Sequence, residues 1–110
     1  MKTVKELKGY AIGDDFKFQI VQVVISQSKE IAAFWLRDIA GYTNAEMEKF
    51  KISAFPLDKK VFIRDFGETT ANELMKQIPK YPAVVFWKEK GNDYYENWLS
   101  HFEPDKPSDG

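Results

Sequence analysis

The sequence predicts a small α/β domain with a single-layer sheet, mixed or mostly parallel, of three to four strands flanked by helices. Short apolar runs rich in β-branched and aromatic residues alternate with segments of helical period. Helix-start patterns precede those segments, and Pro82 opens the last apolar run. Strands that alternate with helices are joined by crossovers, which favours parallel neighbours.

The chain of 110 residues is 44% apolar, enough for one hydrophobic core and too little for two. We therefore expect a single α/β domain over residues 1–102. Residues 103–110 contain two prolines and little apolar content, and they are expected to form a flexible acidic tail.

The first predicted strand runs from Phe16 to Ile25. Its apolar residues fall on both alternating faces, which is typical of a strand covered on two sides. The alternative is a long helix reaching Ala40, but the run has no clean polar helical face and is rich in β-branched residues. Residues 1–13 are weakly patterned and are expected to dock as a short helical turn or strand.

Ser28 is predicted to cap the first helix, and Gly41 to end it. Apolar residues recur within this segment at helical spacing, which predicts a core-facing side and a solvent-facing side. The residues expected to face the core are Ile31, Phe34, Trp35 and Ile39, and those expected to face water are Lys29, Glu30, Arg37 and Asp38.

Two capping-box patterns predict two further helices. Thr43 with Glu46 opens a short helix through about Phe50, and Thr70 with Glu73 opens a helix that Pro79 ends.

Two more strands and a last helix complete the expected order of elements. The strands are Val61–Phe66 and Ala83–Trp87, followed by a turn at Gly91-Asn92. The aromatic and apolar residues from Tyr95 to Phe102 fall on one helical face and predict a closing helix.

The composition excludes several chemistries. Without cysteine there are no disulfides, thiolate nucleophiles or cysteine-ligated metals. The single histidine, His101, is interpreted as a surface or capping residue, and the six glycines form no phosphate-binding motif. We expect no catalytic residues, no cofactor and no metal site, and hence a protein that is not an enzyme.

The formal charge of −1 produces no long-range field toward polyanions or anionic membranes. The sequence shows neither a secretory leader nor an apolar run near twenty residues. A cytoplasmic protein without membrane contact is therefore expected.

Aromatic residues are the one surplus in the composition, with nine Phe, five Tyr and three Trp. Most lie on predicted core faces, whereas a few are not committed to any apolar face. Because aromatics are enriched at protein interfaces, we predict a non-catalytic protein-binding module, such as an adaptor, inhibitor or regulatory subunit. The candidate partner-binding residues are Tyr42, Tyr81, Trp87 and Tyr94.

Three alternatives remain open, as does the oligomeric state. Aromatics together with the lysines at 59, 60, 80, 88 and 90 would suit single-stranded nucleic acid. A structural component of an assembly, for example a phage particle, is the second alternative. The third is an enzyme or ligand carrier with a pocket at strand ends near Ser26, Asp65 and Pro82.

The segment Val61–Gly91 resembles the second half of the thioredoxin-like fold, with a strand, a helix, a proline-led strand and a glycine turn in that order. Residues 23–29, leading into an apolar helix, are similar to the family's first strand and active-site turn. The family's Cys-x-x-Cys would fall near Ile25–Ser28, where neither position is a thiol, so the resemblance implies a redox-inactive member. The helical pattern after Asn92 departs from the family, which has a β-hairpin partner there. The resemblance implies a cis bond before Pro82, whereas the general frequency of X-Pro bonds favours trans.

Overall fold

The computed structural model describes residues 6–78 and 80–97, which form ten helices and strands. In chain order these are β1 (Lys8–Asp14), β2 (Ile20–Ser26), α1 (Lys29–Ala40), α2 (Asn44–Met47), β3 (Lys51–Phe55), β4 (Val61–Ile63), β5 (Gly67–Thr69), α3 (Ala71–Met75), β6 (Ala83–Glu89) and β7 (Glu96–Asn97).

The main sheet has five strands in the order β3-β1-β2-β6-β7, and every neighbouring pair is antiparallel. Strands β4 and β5 form a separate antiparallel hairpin. The predicted mixed or mostly parallel sheet of three to four strands is therefore wrong. Strand β1, which lies in the weakly patterned lead-in, joins β2 through a hairpin, and β6 pairs with β2 antiparallel where a parallel crossover was expected.

Strand β2 occupies the centre of the sheet, and its prediction as a strand instead of a helix is confirmed. Val23, Val24 and Ile25 are all fully buried, as expected for a strand covered on two faces. The strand begins at Ile20 and not at Phe16, because residues 15–19 form the turn between β1 and β2.

Two apolar layers cover the sheet. On one face α1 contributes to a cluster that consists of Ile12, Val24, Ala32, Leu36, Tyr42 and Val84. On the other face α3 and the β4–β5 hairpin contribute to a cluster that consists of Val23, Ile25, Phe55, Val61, Ile63, Ala71, Leu74, Val85 and Phe86.

The predicted helix starts are confirmed, although α2 and α3 are shorter than expected. Ser28 Oγ accepts a hydrogen bond from the Ile31 N–H at 3.1 Å, and α1 ends at Gly41, whose φ is 78°. Thr43 and Glu46 form a complete capping box, but α2 has only four residues. Thr70 caps α3, which ends at Met75.

Strand β6 begins directly after Pro82, as predicted, and the Tyr81–Pro82 peptide bond is cis. Val23 pairs with Phe86 while Val24 pairs with Val84, so Val85 is the additional residue of a β-bulge. The turn at Gly91 is confirmed, with a φ of 94°.

The closing helix predicted from Tyr95 is wrong for its first residues. Tyr95 forms a bridge with Ile63, and β7 pairs with Phe86 and Trp87 of β6. The rest of that predicted helix, His101 and the predicted acidic tail lie outside the described residues, as do Pro79 and residues 1–5.

Gly9 allows β1 and β3 to approach closely, and this generates a first prediction. A Cβ at Gly9 would lie 2.5 Å from the Phe55 carbonyl oxygen, whereas a Cβ at Gly13 would lie no closer than 3.6 Å to Lys51 O. We expect Gly9→Ala to lower the free energy of unfolding by about 1–3 kcal/mol, because backbone must move. The matched change Gly13→Ala should stay within about 1 kcal/mol of wild type. Equal losses in urea unfolding would contradict this account of Gly9.

Candidate functional site

Helix α1 packs on the sheet with the face opposite to the one predicted. Ala32, Ala33 and Leu36 are its buried residues. Phe34 is 51% exposed, Ile31 43% and Ile39 47%, while Trp35 is half-buried. The prediction that these four residues face the core is wrong for Ile31, Phe34 and Ile39.

The reason is the size of the buried side chains. Alanines at positions 32 and 33 allow the helix backbone to lie close to the sheet, and Leu36 fills the remaining space beside Ile12 and Val24. Hydrophobic periodicity selects the bulkier of two apolar faces, which here is the wrong one. A stripe of small residues at 32, 33 and 40 is the sequence signal that identifies the buried face.

The exposed Ile31, Phe34 and Ile39 lie on one side of the helix together with the half-buried Trp35, which also packs against the core. We call these four residues the α1 face. At about 100° per residue these side chains span an arc of about 140° on the helix. Asp38 lies within the same arc. Three large exposed apolar side chains on one helix are unusual for a surface with no binding role.

Arg37 lies at the edge of the α1 face and is held in place. Its Nε and Nη2 donate to Asp38 Oδ1 at 3.0 and 2.9 Å, and its Nη1 donates to Asn44 Oδ1 at 2.7 Å. The guanidinium carbon lies 5.3 Å from the centre of the Phe34 ring. The edge therefore presents a pre-positioned cation stacked on an exposed aromatic ring.

A shallow groove of about 420 Å³ continues from this edge between α1 and α2. It is lined by Phe34, Arg37, Asn44, Met47 and Glu48. Apolar, cationic, anionic and amide groups therefore lie together next to the α1 face. Such a mixture can contact both the apolar and the polar groups of another protein.

The predicted partner-binding residues do not form one exposed patch. The structure places Tyr42 in the core on the α1 side, with 4% exposure. Tyr81 packs against the cluster on the other side, and its hydroxyl donates to the Met75 carbonyl at 3.1 Å. Trp87 in β6 and Tyr94 are half-buried, and Tyr94 lies 6.0 Å from the Arg64 guanidinium.

Tyr42 has a structural partner, the buried carboxylate of Asp14. Asp14 Oδ1 accepts the N–H groups of Phe16 and Lys17 at 2.9 and 2.7 Å. Its Oδ2 accepts the Phe18 N–H at 3.2 Å and the Tyr42 hydroxyl at 2.5 Å. This one carboxylate closes the β1–β2 turn and joins it to Tyr42, two residues beyond the end of α1.

The two groups shift each other's ionisation. Burial raises the pKa of the Asp14 carboxyl, but the Tyr42 hydroxyl and three N–H donors outweigh it and hold the pKa below its ordinary value of 3.8. Burial and the Asp14 carboxylate raise the pKa of Tyr42. Asp14 is thus ionised and Tyr42 neutral at neutral pH.

The strand-end residues considered for a ligand pocket are only partly brought together. A cleft of about 120 Å³ is lined by Ser26, Gln27, Ile31, Tyr81 and Pro82. Asp65 lies instead at the tip of the β4–β5 hairpin, with its side chain 92% exposed.

Three of the lysines considered for nucleic acid make contacts within the protein. Lys90 forms an ion pair with Asp15, Lys88 donates to the Asn92 carbonyl at 3.1 Å, and Lys59 lies over the Phe55 ring. Among residues 6–78 and 80–97, no group of three or more acidic or histidine side chains is arranged to hold a metal. Across the same residues, no helix has the length and apolar content needed to cross a membrane.

Comparison of the chain with protein-family models, curated proteins and solved structures finds no match.

The Asp14–Tyr42 pair generates a prediction about acid stability. A carboxyl with a lowered folded pKa contributes stability that is present above its unfolded pKa, near 3.8, and is lost as the pH falls through the folded pKa. Tyr42→Phe removes one donor, so we expect it to lower the free energy of unfolding at pH 7 by about 1–3 kcal/mol. It should also make stability less dependent on pH below about 4. Urea unfolding between pH 2 and 7 measures both effects, and an unchanged pH profile would contradict the role given to Tyr42.

The packing of α1 predicts how much two substitutions in this helix lower stability. We expect Leu36→Ala to lower the free energy of unfolding by about 2–5 kcal/mol, because it empties a buried site. Phe34→Ala should change it by less than about 1 kcal/mol, since half of the ring already contacts water. Urea unfolding of both variants checks the difference. A larger loss of stability for Phe34→Ala than for Leu36→Ala would show that the side of α1 carrying Phe34 is the buried one.

Proposed function

We propose that the protein is a small non-catalytic protein-binding module that uses the α1 face and the adjoining Arg37 to hold its partner. The observation that carries this proposal is the exposure of Ile31, Phe34 and Ile39 on a helix whose buried face consists of smaller side chains. An adaptor, inhibitor or regulatory subunit acting in the cytoplasm fits such a surface.

The residue types support a binding role. Aromatic residues and arginine dominate the binding energy of protein interfaces, and here the Arg37 guanidinium lies over the exposed Phe34 ring. Three hydrogen bonds and the Phe34 ring already restrict Arg37, so ordering it costs less on association.

The helix also provides a rigid base. Capping by Ser28 and Gly41 holds both ends of α1, and Leu36 anchors its middle to the sheet. A partner therefore meets a surface that needs little rearrangement.

The non-catalytic part of the proposal is supported by what the buried polar residues do. Asp14, the buried carboxylate, has four hydrogen-bond donors on its two oxygens, which leaves it little capacity for proton transfer. Tyr42, the residue beside it, is held neutral by the same contacts.

Site-specific photocrosslinking in the native cell tests the proposal. A benzophenone amino acid is placed at position 34 in one variant and at position 62 in another, since Phe62 is similarly exposed at 55% but lies on the β4–β5 hairpin. We expect a discrete protein adduct from position 34 that resists nuclease and is absent from position 62. Phe34→Ala should weaken binding of the captured partner by roughly tenfold or more, with Phe62→Ala as the control.

Two outcomes would count against the proposal. Adducts at position 34 no stronger than those at position 62 would remove the α1 face as a binding surface. Adducts that disappear with nuclease would favour the nucleic-acid alternative.

A further inference from the structure

We infer that the α1 face binds the α1 face of a second copy of this chain, with the two helices antiparallel. The inference rests on the proposed function, because it names the partner of the same surface. Its evidence is the order of apolar and charged residues along α1.

The apolar residues match when the helix is turned end to end. Ile31 and Phe34 occupy neighbouring positions of a helical stripe and are both exposed. Suppose that a two-fold axis passes midway between the levels of Ala32 and Ala33. Ile31 of each copy then lies against Phe34 of the other, which produces two identical contacts.

The charges match in the same arrangement. Glu30 and Arg37 are seven residues apart and therefore lie on the same flank of the helix. In an antiparallel pair, Glu30 of each copy meets Arg37 of the other. A parallel pair would set this flank against the flank that carries Trp35, and neither charge would find a partner.

Both groups are available for this pairing. Glu30 is exposed and takes part in none of the ion pairs found in the described part of the chain. Arg37 uses three of its five N–H donors on Asp38 and Asn44, so two remain for a second carboxylate.

Asp38 adds a third complementary contact. It lies within the arc of the α1 face, and the antiparallel arrangement brings it near the N-terminal end of the other copy's α1. The positive end of the helix dipole favours a carboxylate there.

The size of the surface sets the strength of association. A helix of 12 residues is about 18 Å long, and a contact confined to it buries less than the roughly 800 Å² per partner of a standard interface. We therefore expect a weak dimer, with a Kd of about 0.1 mM.

Sedimentation equilibrium from about 10 μM to about 1 mM tests the inference with a charge exchange. Glu30→Arg alone places two arginine pairs at the interface, and Arg37→Glu alone places two glutamate pairs there. Each should weaken self-association roughly tenfold. An equimolar mixture of the two variants should associate as wild type does, because the introduced arginine then meets the introduced glutamate and the native pair forms at the other contact.

Controls keep the result interpretable. Phe34→Ala should weaken the dimer roughly tenfold, while Phe62→Ala should leave it unchanged. Far-UV circular dichroism confirms that each variant is folded. Should Arg37→Glu unfold, Glu30→Arg decides the matter alone, since Glu30 has no ion pair within the described residues to lose; association equal to wild type would overturn the inference.

The outcomes separate this inference from the proposed function. A wild type that is monomeric at about 1 mM, or a mixture that does not recover, overturns self-association. The proposed function stands in that case if position 34 crosslinks to a different protein. A wild-type dimer that follows the charge exchange supports the inference even if no other protein is captured.

Discussion

The fold depends on how the Asp14 carboxylate is satisfied. Three backbone N–H groups and the Tyr42 hydroxyl converge on its two oxygens and close the turn between β1 and β2. That turn makes the first two strands a hairpin, so β1 and β2 pair antiparallel at the centre of the sheet. Because Tyr42 lies two residues after the last residue of α1, the same contact also ties the end of the helix to the end of β1. A buried carboxylate with fewer donors would cost the protein several kcal/mol, so the turn and Tyr42 depend on each other.

The second constraint is the close packing of α1. Ala32 and Ala33 bring the helix near the sheet, and the larger apolar residues then have no space beneath it. They remain in water, where they lower solubility unless another surface covers them. The packing of the core and the exposure of large apolar side chains on α1 are therefore two consequences of one choice of side-chain sizes. The Arg37 contacts to Asp38 and Asn44 extend this surface toward α2.

The two proposals use the same surface in different ways. Binding another protein needs only an exposed and rigid apolar face, whereas self-association needs the face to match itself when reversed. Glu30 and Arg37 satisfy that second requirement through their spacing of seven residues. A weak dimer would shield Phe34 until a tighter partner displaces the second copy, so self-association and partner binding would compete by mass action.

Local patterns in the sequence determined the parts of this protein that depend on neighbours along the chain. Side chains acting within a few residues specify the caps at Ser28, Thr43 and Thr70, the helix end at Gly41 and the turn at Gly91. They also specify the central strand and the strand after Pro82. Only the tertiary structure decided the antiparallel order and the buried face of α1. Strand β1 pairs with β2 and β3, but β1 and β3 carry only weak strand patterns of their own. The choice between the two apolar faces of α1 depends on the space above Ile12 and Val24, which no spacing along the helix records. Periodicity reports which residues share a face, but contact between elements decides which face is covered.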